Sequence, residues 1–211
     1  ESMGKFRKML AGVLSAAMVL STMTVTAFAE DTNKMPTIDK TKEGSITINK
    51  YEVDGTNKKP LAGVEFTIYK IAELDQGSNP VELKYKSLIG DSVKISGDTK
   101  YNDIKTVVDE KVKSGELKGI SKTTEIESDK ATAKFTKLGL GVYLVEETKA
   151  PSQVVNKTAN FLVSVPMTNE AGDDWIYDIT ADPKNATVYG GITLTKKGKT
   201  IKVNGNVTEE Y

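Results

Sequence analysis

Cysteine and histidine are both absent from the 211 residues. Without cysteine there are no disulfides to hold an exported fold together and no thiol nucleophile. Without histidine the commonest general base and the commonest zinc ligand are missing. A Ser-His-Asp hydrolase is therefore excluded, and no metal and no cofactor are expected. Any chemistry must use Lys, Asp, Glu, Asn, Ser, Thr or Tyr. Tryptophan occurs once, at Trp175, and proline six times. Charge of one sign is also lacking, since 29 basic residues face 29 acidic ones. That balance leaves no electrostatic footprint for nucleic acid or an anionic membrane.

One long apolar run is present, at the N-terminus. Lys5, Arg7 and Lys8 precede a mostly apolar or small stretch from Met9 to Val25, and Ala27-Phe28-Ala29 fits a small-residue cleavage site. Residues 1–29 read as a signal peptide helix rather than an anchor, because Ser15, Ser21, Thr22 and Thr24 interrupt the run. Without residues 1–29, 26 basic and 28 acidic residues remain. No second apolar span and no wall-sorting signal precede Tyr211. The expectation is that the chain is truncated there, or that another segment supplies anchoring.

The rest reads as all-β with one helical insertion. Residues 30–43 are polar, contain Pro36, and are expected to be a flexible lead-in. Ser45–Tyr51 alternates and is rich in branched residues, as a strand should be. Val64–Tyr69 places Val64, Phe66 and Ile68 on one face. Residues 75–130 are less regular, but Ile104, Val107, Val108 and Val112 fit a helix of two to three turns, with Asn102 or Asp103 as N-cap and Ser114-Gly115 as its end. Ala131–Phe135, Val142–Thr148, Asn160–Val165 and Trp175–Ala181 read as further strands. Short strands divided by turns predict an Ig-like β-sandwich over residues 44–188. Ile192–Lys196 repeats the pattern of Ile46–Lys50, so residues 189–211 read as a linker and the first strand of a second, truncated domain. Asp173, Asp174 and Asp178 lack the loop spacing of a cation site and read as a solvated turn.

Three segments carry a resemblance. The first is Gly44–Lys50 followed by Pro60–Tyr69. The second is Leu138-Gly-Leu-Gly-Val-Tyr-Leu-Val-Glu-Glu-Thr-Lys-Ala-Pro151, which contains a box of the form Y-x-L-x-E-T-x-A-P. The third is Trp175-Ile-Tyr-Asp-Ile-Thr-Ala-Asp-Pro183-Lys184-Asn185. Together they resemble the N-terminal D1 domain of Gram-positive sortase-assembled major pilins, a CnaB-type Ig fold. The third segment is similar to the pilin motif W-x3-V-x-V-Y-P-K, with Ile179, Ala181 and Asp182 in place of two valines and the tyrosine.

The resemblance implies a structural subunit rather than an enzyme. Lys184 would be the amine through which a pilin-specific sortase joins identical subunits head to tail. Trp175 and Pro183 would be the other landmarks of that motif. The same resemblance implies an internal Lys–Asn isopeptide bond promoted by the box glutamate. Counting from Ala150-Pro151 selects Glu147, and alternation agrees, since Tyr143, Val145 and Glu147 share a face while Glu146 points outward. Lys50 is the expected amine and Asn185 the expected acceptor. A buried lysine loses part of its ammonium stabilisation and a buried glutamate favours its acid form, which suits attack on an amide. Lys50 could instead be an edge-strand lysine that opposes aggregation. A secreted protein on the surface or wall pilus of a Gram-positive cell is implied, with minor pilins and a host surface as further partners. The alternative in the same family is a wall-anchored adhesin or stalk that does not polymerise.

Overall fold

The computed structural model describes residues 35–54, 57–80, 82–154, 157–186, 200–203 and 206–209. The expected signal peptide and the expected strand Ile192–Lys196 lie outside the described residues. In chain order the strands are β1 (Gly44–Asp54), β2 (Asn57–Pro60), β3 (Glu65–Leu74) and β4 (Tyr85–Ser87). Helix α1 (Tyr101–Ser114) follows, then β5 (Gly119–Thr123), β6 (Glu125–Glu127), β7 (Lys130–Leu138), β8 (Gly141–Lys149) and β9 (Phe161–Val165). Next come β10 (Met167–Thr168), β11 (Trp175–Ile176), β12 (Asp178–Ala181) and β13 (Lys184–Ala186), and a hairpin of β14 (Thr200–Val203) and β15 (Asn206–Glu209).

Two sheets form an all-β sandwich. The first runs β12-β1-β7-β6, with β13 and β2 flanking the far end of β1. The second runs β4-β3-β8-β9, with β5 also paired to β3. Neighbours are antiparallel except that β12 and β13 run parallel to β1. A parallel pair needs a long crossover rather than a hairpin, and here the whole domain separates the first strand from the last. Pro183 sits in the gap between β12 and β13, where its missing N–H cannot extend a ladder.

Alternation builds the core between the sheets. Ile46 and Ile48 of β1, Ala133 and Phe135 of β7 and Ile179 of β12 face Phe66 and Ile68 of β3, Tyr143 and Val145 of β8 and Val163 of β9. The opposite face of the second sheet is also covered. Ile71, Val142, Leu144 and Leu162 meet Ile104 and Val108 of α1. This explains why β8 carries an unbroken apolar run instead of a clean alternation: it is buried on both faces. Gly141 opens β8 at φ 154°, and a Cβ there would lie 2.1 Å from the Ala72 carbonyl oxygen. Glycine is what lets β8 lie this close to β3.

Four expectations need correction. Helix α1 has 14 residues, longer than two to three turns, and its N-cap is Lys100 rather than Asn102 or Asp103. Asp103 instead reaches back and accepts the Lys100 backbone N–H at 2.9 Å. Trp175–Ala181 is not one strand: the ladder breaks at Tyr177, so β11 pairs with β10 while β12 pairs with β1. The irregular stretch 75–130 holds three more strands, β4, β5 and β6. Residues 35–43 of the expected flexible lead-in pack onto the domain. Ile38 is buried in the core, the Trp175 indole N–H donates to the Pro36 carbonyl at 2.7 Å, and the Asp39 N–H donates to the Tyr177 hydroxyl at 2.9 Å.

Candidate functional site

The inner face of β1 reads Ile46, Ile48, Lys50. The lysine continues an apolar series, and the sheet carries its side chain into the sandwich, where its exposure is 0 %. From the opposite sheet, β8 carries Glu147 inward, also at 0 % side-chain exposure. Register on β3 places Glu147 opposite Phe66. The Lys50 Nζ lies 3.1 Å from Glu147 Oε2 and 5.6 Å from the centre of the Phe66 ring. Glu146, the other acid of the box, is only half-buried.

A third residue closes the group. Thr158 lies in the segment after β8. Its hydroxyl accepts from Lys50 Nζ at 2.5 Å, and its backbone N–H donates to Glu147 Oε2 at 3.0 Å. Among the described residues, no buried side-chain nitrogen or oxygen lacks a hydrogen-bond partner. Burial draws the Lys50 pKa down from 10.5 to about 8, while Glu147 pulls the other way. Desolvation wins because an ammonium in an apolar interior loses hydration that one carboxylate does not replace. Near neutral pH this amine is far easier to deprotonate than a surface lysine.

The other expected residues lie along the same strand. The β13 backbone pairs Lys184 with Tyr51 and Asn185 with Glu52. Asn185 therefore occupies a register position two residues past Lys50 and of the same parity on β1. The side chains of Lys184 and Asn185 are outside the described residues. Trp175 is buried and clamps Pro36, as noted above. Asp182 accepts from the Asn49 side-chain amide at 2.9 Å, and the Asn49 carbonyl oxygen accepts from the Thr132 hydroxyl at 3.2 Å. This chain of bonds runs from β7 across β1 to the connection between β12 and β13, on the face opposite Lys50. Beside it, the Ser45 hydroxyl donates to Asp178 at 2.6 Å. Asp173 and Asp174 are engaged in the β10–β11 turn, where the Asn169 side-chain oxygen accepts both of their backbone N–H groups.

This chain is similar to known proteins. The family model described as Gram-positive pilin subunit D1, N-terminal domain, matches residues 22–186. The chain belongs to that family. Fimbrial subunit type 2 of Actinomyces naeslundii is 28 % identical over 213 residues, covering 92 % of this chain and 38 % of that protein. Fimbrial subunit type 1 of Actinomyces viscosus is 30 % identical over 169 residues, covering 71 % of this chain and 27 % of that protein. The major pilin SpaD from Corynebacterium diphtheriae is 37 % identical, with a TM-score of 0.48 over 71 % of this chain and 31 % of that one. The chain thus spans less than two fifths of either fimbrial relative.

In this pilin domain the structure brings Lys50 and Glu147 into contact and lays the backbone of Asn185 beside the same strand. Thr158 and the Asn49–Asp182 link were not among the residues singled out from the sequence. Asn49 had a usable signal, because alternation turns it away from the inner face of Lys50, beside the segment after β12 that holds Asp182. Thr158 had none, because it lies in an irregular segment and meets Lys50 only through the tertiary fold.

Proposed function

We propose that this chain is a structural subunit of a covalently polymerised Gram-positive surface pilus. Residues 1–29 direct export, residues 44–188 form the N-terminal domain of the shaft subunit, and residues 189–211 begin the next domain. Lys184 is the acceptor amine. A pilin sortase transfers the C-terminal carbonyl of another subunit to it, and successive transfers build the shaft head to tail. The chain is the substrate of that reaction and performs no multiple-turnover catalysis.

A Lys50–Asn185 isopeptide bond stiffens the domain. The neutral amine of Lys50 attacks Cγ of Asn185, the C–N bond forms, and the Cγ–Nδ2 bond breaks. Glu147 takes a proton from the amine and passes one to the departing nitrogen, which leaves as ammonia. The reaction is intramolecular, so its rate comes from proximity rather than from a solvent-accessible active site. The observation that carries this reading is the fully buried Lys50–Glu147 contact at 3.1 Å, with Lys50 on the strand that pairs with β13, the strand of Lys184 and Asn185. A lysine buried in this way is costly unless it serves a purpose that a leucine could not.

Co-expression with a pilin sortase tests the polymerisation. Wild type is expected to give a ladder of SDS-resistant species, and Lys184→Ala only monomer. A ladder that persists in Lys184→Ala removes this lysine from the mechanism. Monomer alone from wild type, together with binding to host matrix, favours the adhesin reading.

A further inference from the structure

We infer that Thr158 is a positioning residue for the Lys50–Asn185 bond, holding the amine and the acid in reactive register through two different groups of one residue. The inference rests on the isopeptide reading above. A lysine side chain is long and flexible, and in an apolar pocket only a few polar atoms can fix its end. Here two do so. Glu147 Oε2 lies 3.1 Å from Lys50 Nζ, and Thr158 Oγ1 lies 2.5 Å from it. With two directions around a tetrahedral nitrogen occupied, the remaining direction is defined rather than free to rotate.

The second contact ties the acid to the same residue. The Thr158 backbone N–H donates to Glu147 Oε2 at 3.0 Å, eleven residues away along the chain. The segment after β8 thereby sets the amine and the carboxyl relative to each other, although they come from opposite sheets. Thr158 neither gains nor loses a proton in the net reaction. Its hydroxyl accepts a hydrogen bond from the amine while Glu147 moves the protons. Effective molarity depends on such alignment, and a misplacement of about 1 Å can cost roughly a hundredfold in rate.

The hydroxyl can be isolated from the backbone contact. Thr158→Ser and Thr158→Ala both remove the methyl group and keep the N–H, so they differ only in the hydroxyl. Pulse-labelled full-length protein is sampled over time, and intact mass reports the fraction that has lost one ammonia. The serine variant is expected to convert within about twofold of wild type, and the alanine variant about tenfold or more slowly. Circular dichroism confirms that both are folded. Equal rates for the serine and alanine variants overturn the inference and leave the isopeptide reading intact. A wild type that never loses ammonia overturns the reading itself and the role of Thr158 with it.

Discussion

Asn49 and Lys50 are consecutive residues on β1, and each anchors a polar cluster on its own face of that strand. Asn49 faces the opposite way from Lys50 and links Thr132 to Asp182; it is itself buried, and both of its partners are half-buried. Lys50 faces inward and meets Glu147, the two side chains having no solvent exposure, and the half-buried Thr158. The same hydrogen-bond chemistry has different consequences on the two faces. At the half-buried link a hydrogen bond adds stability on the order of 1 kcal/mol and brings no titrating amine. In the interior, desolvation lowers the Lys50 pKa to about 8 and so makes the neutral amine far more accessible than on a surface lysine. Alternation along one strand thus separates a hydrogen-bonded link on one face from a buried ion pair on the other.

Breaking the inner cluster should have the largest effect. Glu147→Gln keeps the shape but removes both the proton acceptor and the counter-charge. Bond formation should stop, and the unpaired ammonium should add a cost of about 3–5 kcal/mol. A Glu147→Gln protein that still loses ammonia at the wild-type rate would exclude this acid from the chemistry. Lys50→Met removes the amine without leaving a buried charge. The bond would close a loop of 135 residues, worth on the order of 5 kcal/mol on the loop-entropy model. Its loss should lower the thermal midpoint by roughly 10–20 °C. An unchanged midpoint means that no such bond forms in wild type.

Asn185→Ala sharpens the comparison, because it removes the acceptor and leaves the buried amine in place. The unfolded lysine holds its proton to about pH 10.4, whereas the folded one releases it near pH 8. Between these values the unfolded state binds more protons, so stability should rise with pH, by on the order of 3 kcal/mol across the window. Below about pH 8 this contribution should be flat. Urea titrations from pH 7 to pH 10.5 measure it. A curve that is flat or falls across that range would show that burial does not hold the Lys50 pKa down.

Breaking the outer cluster should do less. Asp182→Ala removes one bond to Asn49 and should cost about 1 kcal/mol, with isopeptide formation retained. Loss of the bond in this variant would mean that the outer link, and not the inner cluster, sets the register of β13. Smallest of all in stability is Lys184→Arg. It should shift the thermal midpoint by no more than 1–2 °C, because the substitution keeps a long, positively charged side chain and should cost within about 0.5 kcal/mol. It should nonetheless abolish the sortase-dependent ladder, because a guanidinium does not deprotonate for attack.

How much of this was legible in the sequence follows from where each residue sits. Strands buried on one or both faces announced themselves through branched residues, and Lys50 and Glu147 could be assigned to inward faces by counting twos. Strands β5 and β6 are exposed along their whole length, so no apolar period marks them. Lys100 is a poor capping type, and the helix start is set instead by Asp103 reaching back from inside. Residues 35–43 look like a tether by composition, and only the assembled core that Ile38 shares with Trp175 reveals why Ile38 is there. Thr158 is the extreme case, since its importance exists only after β1, β8 and the following segment have come together.

The most direct test is the intact mass of the purified protein once its N-terminus is known, followed by proteolysis and fragment sequencing. The account predicts a mass lower than the sequence by one ammonia and a branched peptide joining Lys50 to Asn185. A full calculated mass, with Lys50 and Asn185 recovered in separate unmodified peptides, would contradict it.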